Sequence, residues 1–351
     1  MLFFKQKKEV IGIDIGSSSV KLVQLKMQKG AYHLVNVGIM PLPPEAIVDN
    51  TLMDSAAIVG AIRNLVASLG IKIKHIACSI SGNSVIIRKI TLPVMTSEEL
   101  EDQIIWEAEQ YIPFDINDVN LDFQILSPDS IDPAKMNVLL VASKKDLIND
   151  YVAVFNEAGL LLSVVDVASF TIQNAFEINH DVDTDDVVAL INIGASVMNI
   201  NIVQSGISLF TRDVQMGGHL YSEEIQKQMG LSSADAETQK LLAHESGDTA
   251  LLEVIGKVNE TITQEIRRSL DFYNSTASDE RISRIFLSGG CSKVYNLLEA
   301  INEKLGVPVE MINPFARITR NDKEFDPEYL EEIGPLMAVS IGLAIRRVGD
   351  K

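Results

Sequence analysis

Cysteine is nearly absent from this chain: Cys78 and Cys291 are the only two among 351 residues. Two are too few for a disulfide framework or a zinc knuckle, which fits a reducing compartment and two small core side chains. Long apolar runs are missing as well. The best candidate, 160–167, is short and interrupted by Asp166, so the sequence offers no segment suited to crossing a bilayer. Basic charge is in deficit, with 30 Lys and Arg against 48 Asp and Glu and a formal charge of −18. That balance argues against nucleic acid or anionic lipid as the main partner, and any anion must be bound by a locally arranged site. The five histidines, His33, His75, His180, His219 and His244, show no metal-ligand spacing, and no Walker loop or Ser-His-Asp pattern occurs. The opening MLFFKQKK lacks the long apolar stretch and cleavage site of a signal peptide and reads as a frayed tail.

What is present is a pattern that recurs. Residues 10–15, 20–25 and 32–40 read as three strands with Gly16 and Gly30 at the turns, then a helix at 54–69 and a strand at 75–81. The order begins again near residue 187. There GIDIGSSSVK (12–21) aligns without a gap against LINIGASVMN (190–199), so that Asp14 meets Asn192 and Gly16 meets Gly194. The match points to an internal duplication, and the chain length also favours two lobes. Between the copies, 84–165 reads βαββαβ, a compact α+β unit inserted into the first lobe. The expected division is a first-lobe core at 9–83, 166–186 and 335–351, the inserted unit at 84–165, a second-lobe core at 187–216 and 278–334, and a helical insertion at 217–277. The last helix of that insertion carries Ile255, Val258, Ile262, Ile266, Leu270 and Tyr273 on one face.

In the first copy an apolar strand delivers Asp14 and then releases into Gly16, Ser17, Ser18 and Ser19. Such a turn can aim backbone N–H groups and hydroxyls at a phosphate while the carboxylate faces a metal or its bound waters. The same residues also suit an ordinary Gly/Ser hairpin. Lys21 favours the phosphate reading, because it alternates onto the strand face of Val23 and Leu25, where an ammonium needs an anionic partner. The second copy, Asn192 to Ser196 with Gly194 and Ala195, can form a facing turn. A third segment runs from strand through Ser288, Gly289 and Gly290 into a helix, where glycine lets a flat base or sugar approach the backbone; a plain strand-to-helix turn fits as well.

These segments resemble the actin-like ATPases, a group that includes heat-shock chaperones and sugar kinases. DIGSSSVK resembles their first phosphate loop, NIGAS the second and LSGG the adenosine loop. GGHLYSEEIQKQMGLSSADAETQK is similar to the family segment that places Gly217 and Gly218 at the lobe junction and Glu237 and Lys240 near the ribose. EIGPLMAVSIGLAIR resembles the second connecting helix, with Gly334, Ala338 and Gly342 allowing close packing. The resemblance implies an α/β fold of two lobes, duplicated ribonuclease H-like domains, with an inserted α+β subdomain placed as in FtsA. WEAEQYIPFDINDVNLDFQIL, EIRRSLDFY and IGIDIGSSSVKLVQL are similar to the PilM family of type IV pilus assembly proteins, over essentially the whole chain after residue 8.

That likeness implies a cytoplasmic scaffold at the inner membrane. It would bind ATP and Mg²⁺, the metal held by Asp14 through water, and would grip the cytoplasmic peptide of a PilN-like inner-membrane protein beside other pilus components. Self-association is open. Asn192 stands where many relatives carry an acid, so slow hydrolysis is expected: an amide adds no negative charge to a metal or a water-activating network. Asp166 is then the remaining catalytic candidate to orient water, with a strand-end or capping role equally suited. The rival readings are a vigorous ATPase or small-molecule kinase, and an FtsA-like polymerising division protein. The ending IRRVGDK, without a long amphipathic helix, weighs against the last. A helix at 97–112, capped by Thr96 with Glu99, is expected to bury a stripe of Leu100, Ile104, Ile105, Ala108, Tyr111 and Ile112. Trp106 lies nearly opposite, either packed on the neighbouring lobe or anchoring a partner.

Overall fold

A computed structural model describes residues 8–128, 132–181, 183–276 and 281–350. The opening tail through residue 7, the end of the helical insertion at Ala277 and the terminal Lys351 lie outside the described residues. In chain order the elements are β1 (Ile11–Ile15), β2 (Ser19–Gln28), β3 (Ala31–Pro41), the two-residue strands β4 (Ile47–Val48) and β5 (Thr51–Leu52), α1 (Ser55–Ser68) and β6 (His75–Ile80). Then come β7 (Val85–Pro93), α2 (Ser97–Ala108), β8 (Val119–Pro128), β9 (Lys135–Lys144), α3 (Lys145–Glu157), β10 (Leu161–Val167) and α4 (Ala168–Asn179). The second half holds β11 (Val187–Ile193), β12 (Met198–Gln204), β13 (Ile207–Val214), α5 (His219–Met229), α6 (Ser233–Leu241), α7 (Thr249–Thr276) and β14 (Ile282–Ser288). It closes with α8 (Leu297–Leu305), β15 (Val309–Met311), α9 (Pro327–Ile333) and α10 (Ala338–Ala344).

Two five-stranded sheets carry the duplication. One has the order β10-β6-β1-β2-β3 and the other β15-β14-β11-β12-β13. In each, the meander is antiparallel and the remaining strands join it in parallel. The strand period of two sorts the side chains. Ile11, Ile13 and Ile15 face outward into a core shared with α1 and α3, while Gly12 and Asp14 face inward. Likewise Ala189, Ile191 and Ile193 join the core beneath α5, α7 and α8, and Leu190 faces inward. The expected α7 stripe from Ile255 to Tyr273 is buried in that second core.

Between the sheets lie α4 and α10. Each helix crosses to the other half: α4 leaves the first-lobe sheet and packs on β11 and β12, and α10 returns to pack on β1 and β2. Glycine makes the approach possible. A Cβ at Gly342 would fall on the Thr171 carbonyl of α4, and one at Gly12 on the Ser340 carbonyl of α10. The close packing expected at Gly342 is therefore present, whereas a Cβ at Gly334 would meet only Pro314 Cδ at an ordinary 3.7 Å.

The inserted unit is smaller than 84–165. Its sheet has the order β7-β9-β8, with α2 on one face. β10 pairs with β6 instead, and Tyr151, Val154 and Phe155 of α3 are buried in the first-lobe core. The insertion thus ends at β9, and the chain from α3 onward rejoins the first lobe. Helix α2 also ends earlier than the expected 112. Its capping box at Thr96 and Glu99 forms as read, but only Leu100, Ile104, Ala108 and Ile112 of the stripe are buried. Ile105 and Tyr111 are exposed, because the helix stops at Ala108 and its narrow buried face covers a sheet of three strands.

Candidate functional site

The two meander turns close in the same way. Gly16 N–H donates to the Ser19 carbonyl at 3.1 Å, and Gly194 N–H donates to the Val197 carbonyl at 2.9 Å. In both copies the inward residue before the turn pairs with the residue seven positions on: Asp14 opposite Lys21, and Asn192 opposite Asn199. Both turns lie at the C-terminal ends of the parallel strands, where open α/β sheets place their ligands.

In the first copy Lys21 Nζ donates to Asp14 Oδ2 at 3.1 Å, the two side chains only 12% and 16% exposed. The ammonium therefore has the anionic partner that its buried position demands. Asp14 Oδ1 accepts no hydrogen bond among the described residues and can still accept one from water. At Gly16 a Cβ would stand 3.1 Å from Lys21 Nζ, so the missing side chain keeps the ammonium in reach of the turn. Ser17 is half-buried, Ser18 is exposed and its carbonyl accepts from Leu42 N–H, and Ser19 is buried at the start of β2.

The second copy is built from amides. Asn192 Nδ2 donates to Asn199 Oδ1 at 3.1 Å, while Asn192 Oδ1 accepts from Ser288 Oγ at 3.2 Å. Asn199 Nδ2 in turn donates to Asp213 Oδ1 at 2.8 Å. Sequence reasoning missed Asp213, because a lone aspartate near the end of β13 belongs to no motif. The signal was the ladder register, which sets Asp213 opposite Asn199.

Around the second turn the other expected residues converge. Gly218 and His219 donate their N–H groups to the carbonyls of Gly194 and Ala195 at 2.9 and 2.8 Å. A Cβ at Gly217 would run into those same carbonyls, which explains the glycine. Ser196 Oγ and His219 Nδ1 share a hydrogen bond of 3.1 Å. Burial, with Lys240 nearby, holds His219 below its usual range, so the ring is neutral at pH 7. Lys240, itself buried, donates to Glu237 Oε2 at 2.6 Å and to the Gly218 carbonyl at 3.3 Å. Burial raises the Glu237 carboxyl, but its bonds from Lys240 and Ser222 outweigh this and hold it below the ordinary range. Gly289, at φ +87°, lies against Ile193, and Gly290 beside it is exposed. Gly194, Ala195, Ser196, Gly217, Gly218, Glu237, Lys240 and Gly289 therefore form one neighbourhood on the second lobe.

Asp166 stands apart from it. The carboxylate is buried at the end of β10, where Arg346 approaches Oδ2 at 3.4 Å and Val167 N–H donates to Oδ1 at 2.7 Å. Burial pushes its pKa up against the pull of Arg346 and the backbone bond. A residue so buried suits the strand-end role, its Oδ2 ion-paired with Arg346 but without a hydrogen bond among the described residues. Cys78 and Cys291 are both buried, as the composition implied; burial pushes the Cys291 thiol up to about 12. Trp106 is 73% exposed, so it is not packed on a neighbouring lobe.

Among the described residues no group of three or more His, Cys, Asp or Glu is arranged to hold a metal ion alone. Asp14, with one carboxylate oxygen unengaged, fits a metal that arrives with its own phosphate and water ligands. No helix among the described residues is long and apolar enough to cross a membrane.

The family model described as type IV pilus assembly protein PilM matches residues 12–348. The cell division protein FtsA of Bacillus subtilis (strain 168) is 22% identical over 319 residues, covering 84% of this chain and 69% of that protein. A solved PilM-PilN type IV pilus biogenesis complex gives a TM-score of 0.88 at 30% identity, covering 98% of this chain and 100% of that chain. EutJ of Carboxydothermus hydrogenoformans gives 0.58 at 16% identity, covering 96% and 89%. MreB5 of Spiroplasma citri bound to ADP gives 0.52 at 11%, covering 95% and 94%; these last two speak to the fold alone. With the match running through both lobes and the inserted unit, the chain belongs to the PilM family of type IV pilus assembly proteins, on a two-lobed actin-like fold.

Proposed function

We propose that this chain is a nucleotide-binding scaffold of type IV pilus assembly, holding ATP with Mg²⁺ between its lobes and gripping the cytoplasmic peptide of a PilN-like membrane protein. The observation that carries the reading is the pair of turns closed by the same hydrogen bond, one with a partly buried Asp14–Lys21 pair and one packed against Gly217 and Gly218. Mg²⁺, when bound, neutralises phosphate charge. Asp14 orients its waters through Oδ1, and Lys21 offers its remaining donors to a phosphate oxygen. The N–H groups and hydroxyls of Ser17 and Ser18, and the second turn from Gly194 to Ser196, supply further donors. Glu237 and Lys240 suit a sugar hydroxyl, and Gly289 and Gly290 leave room for a flat base. Turnover is slow, because Asn192 adds no charge beside the phosphates and Asp166 is committed to Arg346.

A membrane-spanning partner would place the scaffold at the inner membrane without a span of its own. Calorimetric titration with Mg-ATP tests the first half of the proposal, and no measurable binding by the intact chain would end it. Titration with a synthetic PilN-like N-terminal peptide tests the second. Exposed Trp106 is the anchor in this reading, so Trp106→Ala weakens peptide binding roughly tenfold or more while ATP binding persists. Normal peptide binding by that variant removes the anchor role.

A further inference from the structure

The row of hydrogen bonds beside the second turn does not stop inside its own lobe. Asp213 Oδ1 accepts from Asn199, and its other oxygen, Oδ2, accepts from the backbone N–H of Gly82 in the first lobe. Gly82 lies between β6 and β7, at the root of the inserted subdomain, and its carbonyl accepts from Val85 N–H, the first residue of β7, at 3.0 Å. One carboxylate thus joins the phosphate-side amides of one lobe to the hinge from which the other lobe's insertion departs. We propose that Asp213 is a positioning residue that latches this hinge, so that a nucleotide drawing on the Asn192 and Asn199 amides changes partner affinity through it. The nucleotide arm of the proposal rests on the function proposed above.

The hinge is built to be held. Gly82 is buried with φ +86°, and a Cβ there would fall on the Asn50 side-chain amide, so only glycine fits. A buried N–H has no water to replace Asp213 if the contact is lost, which makes the contact matter to the local structure. It is also built to be released. Asn50, in the left-handed region at φ +62°, packs against Gly82, and its buried Nδ2 has no hydrogen-bond partner among the described residues. The latched arrangement therefore leaves one donor unsatisfied, a cost that works against the contact. At the far end of the row, both polar atoms of the Asn192 amide are in use, by Ser288 and Asn199. Each atom of that amide keeps one further site, so a phosphate oxygen or its bound water that bonds there pulls on the same amide that holds Asn199, and Asn199 is the group that holds Asp213. Occupancy at one end and attachment at the other are linked by two intervening side chains.

Linkage gives the test, because the factor by which ATP changes peptide affinity equals the factor by which peptide changes ATP affinity. Binding of a synthetic PilN-like N-terminal peptide would be measured with and without saturating Mg-ATP, in the intact chain, in Asp213→Ala and in the shape-conserving Asp213→Asn. The expected result is a change of about fivefold or more in the intact chain that shrinks to less than about twofold in Asp213→Ala, with ATP affinity itself held within a few-fold. Without ligand, hydrogen exchange at 82–85 should rise about tenfold or more in Asp213→Ala and less in Asp213→Asn, while the β11 amides stay protected. If the alanine variant does not fold, the asparagine variant is read alone, since its amide keeps one acceptor for two donors. Unchanged exchange at 82–85, or coupling that survives in a folded variant, overturns the latch, as does ATP binding without any coupling in the intact chain. Failure of the intact chain to bind Mg-ATP overturns the nucleotide reading and the coupling with it. The exchange measurement then still decides whether Asp213 holds the hinge.

Discussion

In the first lobe the inward row beside the turn runs Asp14, Lys21, Ile39; in the second it runs Asn192, Asn199, Asp213. The two turns close with the same backbone hydrogen bond, so beside the turn the divergence lies in side chains, although β2 and β3 run longer than β12 and β13. The first row sets two opposite charges next to the turn and ends in an apolar residue. The second sets neutral amides next to the turn and places its carboxylate two strands away, about 10 Å at ordinary strand spacing. A duplicated scaffold can thus keep one way of presenting N–H groups while setting a charged pair beside one turn and a row of hydrogen-bonded amides beside the other. Gly12 and its counterpart Leu190 diverge on the same face. α10 lies so near β1 that no side chain fits, whereas β11 needs Leu190 to fill the wider gap.

Making the copies alike should break the first lobe before the second. Gly12→Leu drives a side chain into the Ser340 carbonyl and should cost about 3 kcal/mol or more, or prevent folding. Leu190→Ala opens a cavity of ordinary kind, at about 2–4 kcal/mol; urea unfolding of the two side by side checks the order. Next in size is the charged row. Lys21→Ala and Asp14→Ala should each lower Mg-ATP affinity by roughly 10- to 100-fold, with the Asp14 effect confined to titrations with metal; Asn192→Ala should cost less than about tenfold. Equal losses from the two rows would erase the proposed division of roles. Smaller again is Asn192→Asp, which restores a carboxylate to the second turn and should raise steady-state phosphate release several-fold.

The smallest effect belongs to the second lobe's own acid–base pair. Glu237 is held below its ordinary range in the fold, so its contribution is present above the unfolded carboxylate value of about 4.3 and fades as pH falls through the lower folded value. The side chain is 45% exposed, which limits the gain to a few tenths of a kcal/mol. Unfolding of Glu237→Gln and the intact chain should therefore differ at pH 7 and converge near pH 3.

Much of this was legible from spacing. Lys21, on an apolar strand face, was read as needing an anionic partner, and the hairpin register supplies Asp14; the pairing of Asn192 with Asn199 rests on the turn length, which the sequence left open. Gly342 announced a close helix approach that the backbone then makes; Gly217 and Gly289, read for the lobe junction and for a flat base, lie against the backbone of Gly194, Ala195 and Ile193, while a Cβ at Gly218 would meet only ordinary contacts. The boundary of the inserted unit was not legible, because the pattern of β10 says that it is a strand and nothing about which sheet accepts it. Ile105 and Tyr111 were misplaced for a related reason: helical spacing marks an apolar face, but the width of the sheet beneath decides how much is covered. Asp213 was invisible because its meaning depends on two registers and a contact from the other lobe.

The crossing of α4 and α10 at Gly342 carries a mechanical consequence. Where helices meet through interleaved side chains, one turns against the other only by lifting each knob from its hole. At Gly342 itself the contact is backbone on backbone, with no side chain to engage the Thr171 carbonyl, and Ile172 and Phe176 of α4 pack with Val339 and Leu343 of α10 beside it. The missing side chain thus sets how near the sheets resting on these two helices can come, while farther out the lobes are tied by the bond from Gly82 N–H to Asp213.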